Sequence, residues 1–378
     1  MSRRSASPPS SDGAGLPVWP PGTGPRGRGA RGNPAGRFET RVTQREDDGW
    51  EAPDAEPPGA EPPLRTQVTE ERAGRIVTRN ASPDLSFDRS VNPYRGCEHG
   101  CTYCYARSSH AYLGLSPGLD FETKLTVKPG AAAALRRELS ARGYAPATIA
   151  IGTNTDPYQP IERDRRVMRA CLEVLSEFRH PVAIVTRGAL VTRDADLLGE
   201  MGRAGLARVG LSIPTLDAAL SRSMEPRAPA PAQRLRAAER LAAAGVPVRL
   251  CLAPVIPGLT DHEVEAIVAA AARAGATAAS LAMLRLPGEV AGLFRAWLEE
   301  ARPDRAARVM ARVREVHGGR DYDATFGRRL TGQGEVARLI RRRFRLACRR
   351  HGLAERMPAL RTDLFRVPPR PGDQLALF

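Results

Sequence analysis

The chain has 378 residues, 42% of them apolar, and carries 57 basic against 42 acidic side chains for a net charge of +15. That length can bury one barrel-sized core with additions. It excludes a membrane-spanning helix, because even the apolar stretch from Val264 to Leu284 is broken by Glu265 and Arg273. The Arg- and Pro-rich N-terminus lacks the apolar core of a secretory signal, so a cytoplasmic protein is expected.

Residues 1–64 hold 12 Pro and 10 Gly and few aliphatic side chains, too little apolar surface to offset the entropy of ordering the backbone. A disordered tail is expected there. Over 65–288, short β-branched runs alternate with helical patterns. Strands are expected around 85–94 and over 148–151, 182–186, 207–213, 246–256 and 278–284. Helices are expected over 163–178, 194–203, 231–244 and 261–274, the last opened by a capping box of Thr260 and Glu263. Gly205, Gly245 and Gly275 fall where three of these helices should end in a left-handed residue. Alternation of this length implies crossover connections and a parallel sheet, an α/β fold.

Residues 289–378 read as a basic helical extension, with helices expected over 290–301, 304–316 and 335–350. On a helical wheel Arg338, Arg341, Arg342, Arg345 and Arg349 share one face, and Val336, Ile340, Phe344 and Ala347 lie opposite. Such a stripe suits phosphates. It equally suits the solvated face of a capping helix, since only Lys124 and Lys128 are lysines and Arg is the default base throughout.

The densest chemistry lies at Cys97, Cys101 and Cys104, spaced four and then three positions apart. Three thiolates in one loop can ligate three irons of a cubic iron-sulfur cluster and leave the fourth open, whereas electron-carrying clusters usually take four cysteines. The competing reading is structural zinc with His99 as fourth ligand, in a non-enzymatic nucleic-acid-binding protein. Such sites normally pair two ligand knuckles, and the sequence holds no second one. Cys171, Cys251 and Cys348 are isolated among apolar residues and read as small buried hydrophobes.

With Tyr103 just before its last cysteine, the loop resembles that of the radical S-adenosylmethionine (SAM) superfamily. The flanking residues Asn92 to Gly96, Tyr105 to Arg107, Tyr112 to Gly114 and Asp120 to Glu122 resemble the branch that includes spore photoproduct lyase and proteins labelled DNA repair photolyases. The resemblance implies a partial (β/α)6 TIM-type barrel with its site at the C-terminal strand ends. It also implies a [4Fe-4S] cluster on Cys97, Cys101 and Cys104, and reductive cleavage of SAM to a 5'-deoxyadenosyl radical that abstracts hydrogen. A reductase or a flavodoxin- or ferredoxin-type protein would donate the electron.

By the same resemblance Tyr103 lies beside the SAM adenine. Asn154, Thr155 and Asp156 meet the SAM ammonium, Arg187 the carboxylate, and Ser212 the ribose or carboxylate. Val255 belongs to an apolar wall beside adenine. Plainer readings stand next to these: Arg187 as a solvated surface base, Ser212 as a hydroxyl satisfying backbone. DNA or RNA is the first candidate substrate, with a protein or small molecule as alternative. No cysteine lies between Cys104 and Cys171, where spore photoproduct lyases keep a hydrogen donor, so photoproduct repair by that mechanism is not expected and a tyrosine such as Tyr158 is at most a substitute.

Overall fold

The computed structural model describes residues 27–39 and 64–369. Its strands are β1 (Gln67–Glu70), β2 (Val77–Arg79), β3 (Arg89–Val91), β4 (Tyr94–Arg95), β5 (Lys124–Val127), β6 (Ile149–Ile151), β7 (Val182–Thr186), β8 (Ala207–Ser212), β9 (Val248–Val255) and β10 (Ala278–Met283). The larger sheet has the order β10-β9-β8-β7-β6-β3-β2 and is parallel except for β2, which runs antiparallel to β3. Its six parallel strands are the six expected from the β-branched runs, and β10 and β2 are its edges. A smaller sheet, β1-β5-β4, was not anticipated, because strands of two to four residues are too short to show a period. Its β4 feeds directly into the cysteine loop.

The helices are α1 (Asp120–Thr123), α2 (Ala131–Leu139), α3 (Glu162–Arg165), α4 (Val167–Glu177), α5 (Ala195–Arg203), α6 (Ala218–Met224), α7 (Pro231–Ala243), α8 (Val264–Arg273), α9 (Val290–Ala301), α10 (Ala306–Val316) and α11 (Gly334–Arg350). The single helix expected over 163–178 is broken at Arg166, whose φ is +50°. The Glu162 carboxylate explains the break: it accepts the Met168 amide at 3.0 Å, so the chain must turn for Glu162 to cap the helix that follows. The capping box at Thr260 and Glu263 does not form. Glu263 instead accepts Thr215 Oγ1 at 2.5 Å and the Leu216 amide at 2.7 Å, tying down the loop after β8. Gly205, Gly245 and Gly275 do end α5, α7 and α8, with φ of +73°, +86° and +84°.

The main core lies between the sheet and its helices, with Leu135, Leu172, Leu198, Leu241 and Ile267 facing the strands. Helix α11 completes it through Ala337, Ile340, Phe344 and Ala347, and packs on α8 and β10. A second core joins Phe294 and Trp297 of α9 and Val309 of α10 to Cys101 and Tyr103. Helices beyond 289 therefore buttress the cysteine loop directly.

Residues 27–39 depart from the disordered tail expected over 1–64. Ala30 is 3% exposed, Arg28 donates to the Glu122 carbonyl at 2.9 Å, and Asn33 Nδ2 donates to Asp120 at 3.0 Å. Hydrogen bonds between Gly-rich backbone and buried carboxylates supply what apolar burial does not. Apart from Leu64, the rest of that tail lies outside the described residues. Among the described residues no helix is long and apolar enough to cross a membrane.

Candidate active site

The cysteine loop is fixed by its own backbone and by buried side chains. The Cys97 amide donates to the Phe121 carbonyl at 2.9 Å. Gly96, at φ +75°, has no room for a side chain, since a Cβ would lie 2.9 Å from that same oxygen. Gln159 bridges the Glu98 amide and the Gly96 carbonyl, at 2.9 and 3.2 Å. Arg107, with no exposed side-chain surface, donates to the carbonyls of Cys101, Pro117 and Gly118 and meets Glu122 at 2.5 Å. Glu122 also takes the amides of Gly29 and Ala30 at 2.9 and 2.8 Å. Every charge in this knot has a partner, as burial requires.

Cys97 and Cys101 are buried and Cys104 is half-buried. Burial pushes the Cys97 thiol up, and pushes Cys101 up to about 12 although Arg187 Nη1 donates to its Sγ at 3.0 Å. Such thiols become ligands only by giving up protons to bound metal. Among the described residues no three His, Cys, Asp or Glu side chains gather around a single ion position. Tetrahedral zinc would require that, with sulfurs about 2.3 Å from one centre. His99, the fourth ligand of the zinc reading, has its Nδ1 3.4 Å from Asp156 Oδ2. Three thiolates without a common ion position can still serve a cluster, in which each would bind its own iron.

Cys97 and Cys104 open onto a cavity of about 300 Å³ at the C-terminal ends of the parallel strands. Six of the residues singled out in the sequence line it: Tyr103, Asn154, Thr155, Asp156, Arg187 and Ser212. Thr155 Oγ1 is buried and has no hydrogen-bond partner among the described residues. Asp156 is already engaged, accepting Thr186 Oγ1 at 2.5 Å and the amides of Tyr158 and Arg187 at 2.9 and 2.8 Å. Burial alone would raise its carboxyl, yet His99 and these donors hold it below the usual carboxylate range. Ser212 Oγ donates to the Ala253 carbonyl at 2.9 Å.

Two placements differ from the sequence reading, those of Val255 and Tyr158, and Cys251 gains a second role. Val255 lies in the main core at 1% exposure, and its neighbours Ala253 and Pro254 line the cavity in its stead. Cys251 is buried as expected, at 6% exposure, and it also lies on the cavity wall. Tyr158 is not among the residues lining this cavity, and its hydroxyl donates to Asp194 at 3.0 Å, which gives no support to a role as substitute hydrogen donor.

Sequence reasoning missed Glu225, which sits in no motif. Its side chain has no exposed surface; it accepts from Tyr103 Oη and Arg234 Nη2 and lies 3.4 Å from Arg187 Nε. Burial would raise this carboxyl, but Arg234 and Arg187 together lower it. Glu225 thus fixes the Tyr103 ring and the guanidinium beside Cys101, and Arg187 lies 5.7 Å from the Tyr103 ring centroid. Only folding brings the four together.

The family model of the radical SAM superfamily matches residues 91–271, from the strand before the cysteine loop through α8. An uncharacterized protein of Mycobacterium tuberculosis is 38% identical over 235 residues, 62% of this chain and 68% of the relative. One from Methanocaldococcus jannaschii is 28% identical over 173 residues, 46% of this chain and 62% of the relative. Among solved structures, spore photoproduct lyase complexed with dinucleoside spore photoproduct matches with a TM-score of 0.56 at 16% identity, covering 76% of this chain and 81% of that one. At that identity the match speaks for the fold: a mixed α/β fold with a parallel sheet. A cysteine loop set against polar strand ends, under the family model that spans both, makes this chain an enzyme that belongs to the radical SAM superfamily, whose members bind a [4Fe-4S] cluster and SAM.

Proposed function

We propose that Cys97, Cys101 and Cys104 hold the cluster, that the adjoining cavity seats SAM, and that the six parallel strands are those of a partial (β/α)6 barrel. The observation that carries this reading is the convergence of two cluster cysteines and the strand-end polar residues on one cavity. When bound, the two groups supply one-electron scission of SAM and abstraction of a hydrogen atom from substrate.

The chain's own residues orient the reactants. Tyr103, pinned through Glu225, is the aromatic neighbour for adenine, and Ala253 and Pro254 add an apolar wall. Thr155 Oγ1, lacking a partner among the described residues, accepts from the SAM ammonium. Asp156 is spent on Thr186, Arg187 and Tyr158, so it holds the loop after β6 in place and leaves Thr155 and Asn154 to the ligand. Arg187 pairs with the SAM carboxylate, its charge conserved by Glu225 and the Asp156 bond to its amide.

Nucleic acid is the substrate class we favour over a protein or small molecule. Leu330 lines the SAM cavity, and the next residue, Thr331, lines a basic cavity of about 640 Å³ with Arg338, Arg341, Arg342, Arg345 and Arg349. Phosphates tracking that face would bring a nucleotide to the mouth. Anaerobic reconstitution should give about four irons per chain, and 5'-deoxyadenosine on addition of dithionite and SAM. Cys101→Ala should abolish the product, and a wild-type protein without iron or product would overturn the reading.

A further inference from the structure

A third cavity, of about 440 Å³, adjoins the segments that carry Asp156 and Arg187. His99, the partner of Asp156, lines it, and so does Gly188, the residue after Arg187. Its formally charged side chains are all basic: Arg163 of α3, Arg227, and Arg236 and Arg240 on successive turns of α7, with no acid among the described residues of the lining. Arg227 has Glu98 at 3.2 Å; among the described residues Arg163, Arg236 and Arg240 enter no ion pair, and all three are exposed. Unneutralised like charges around a concavity focus a positive potential and attract an anionic partner.

The position of this potential is informative. His99 stands between Cys97 and Cys101, and the Arg227 amide donates to its carbonyl at 3.3 Å. The turn between two cluster ligands is buried, with His99 1% exposed, and it borders this cavity through His99, whereas Tyr103 and Cys104 line the SAM cavity. An electron must enter a site whose own mouth is taken by SAM and substrate. We propose that the basic cavity at His99 is the docking surface of an acidic one-electron carrier protein, which reduces the cluster through this turn.

The inference rests on the reading that Cys97, Cys101 and Cys104 hold a cluster. In the step the carrier loses one electron and the cluster gains it, passing from the 2+ to the 1+ state, with no bond made and no proton moved at His99. A transient carrier needs only a small contact steered by charge, which exposed arginines on two helices supply.

The test is the reconstituted full-length triple variant Arg163→Glu, Arg236→Glu, Arg240→Glu. Iron content and dithionite-driven 5'-deoxyadenosine formation should match wild type. Reduction by a reduced acidic flavodoxin should slow about tenfold or more at low salt, and the gap should close as salt screens the charges. The triple Lys variant should retain the rate. Equal flavodoxin rates in wild type and the Glu variant would overturn the proposal. So would a loss of DNA affinity with the flavodoxin rate intact, which would assign the cavity to nucleic acid. Failure of wild type itself with dithionite would instead overturn the cluster reading beneath it.

Discussion

Arg107 and Arg234 have no exposed side-chain surface, whereas Arg338 and Arg345 on α11 keep 62% and 61% of theirs. The buried pair lies in the knots around the cysteine loop, each guanidinium spending its donors on a carboxylate and on backbone carbonyls. On α11 the partners are neighbours along the chain, Glu335 for Arg338 and Glu355 for Arg345, and the crowding has a signature. Burial and then Arg345 and Arg338 depress the Arg341 guanidinium. One residue type therefore does two kinds of work, which desolvation separates: a buried charge must be matched in full, an exposed one is free to meet a ligand.

The sharpest way to break this comparison is to remove one buried partner. Glu225→Ala leaves Arg187 and Arg234 facing each other without their carboxylate, and should cost about 3–5 kcal/mol in urea unfolding. Glu225→Gln keeps the shape and an acceptor for Tyr103 and should cost less. If Glu225→Ala destabilises no more than Arg338→Ala, burial is not what distinguishes the two sets.

His180 sharpens the contrast from the neutral side. It is fully buried, Tyr144 Oη and Nε2 are 2.9 Å apart, Nδ1 and the Pro181 carbonyl 3.0 Å, and burial lowers it to about 4. With Nδ1–H donating and Nε2 accepting, the ring is neutral. The folded pKa lies below the unfolded value, so the unfolded chain binds the proton first as pH falls. Stability is therefore whole above about pH 6.5 and drains away between there and 4, by roughly 3 kcal/mol at the low end. His180→Gln should flatten that part of the pH–stability curve; an unchanged slope would mean that His180 is not the group responsible.

Legibility from the sequence follows the same division between local and distant. The six parallel strands announce themselves as β-branched runs, and Gly205, Gly245 and Gly275 mark helix ends, because those signals lie within a few residues of what they control. Cys97, Cys101 and Cys104 are legible for the same reason. Glu225 is not: it meets Tyr103 across 122 positions, and nothing around it distinguishes it from a surface acid. Glu122 meets Gly29 across 93, which is why a Gly-rich stretch that looked like pure tail proved to contain a docked segment. Glu263 shows the converse, a good local capping signal overruled because Thr215 and Leu216 were nearer in space. Val255 turns into the core, away from the cavity, because facing is set by the local path of β9 near its end, which composition does not encode.

The exposed arginines should give the smallest change in stability and the most telling change in binding. Arg338→Ala, Arg341→Ala and Arg345→Ala should each move unfolding by no more than about 0.5 kcal/mol, since Arg338 and Arg345 have solvated partners and Arg341 loses bonds only to the Thr331 and Gly332 carbonyls. If α11 tracks phosphates, the log–log salt slope of duplex DNA binding should flatten by about 0.9 for each arginine that had displaced a counterion. Slopes that stay equal while affinity is also equal would leave these residues as a solvated face and detach α11 from the substrate. A loss of stability as large as that from Glu225→Ala would break the comparison from the other end, because it would mean that the exposed guanidiniums carry the fold as the buried ones do.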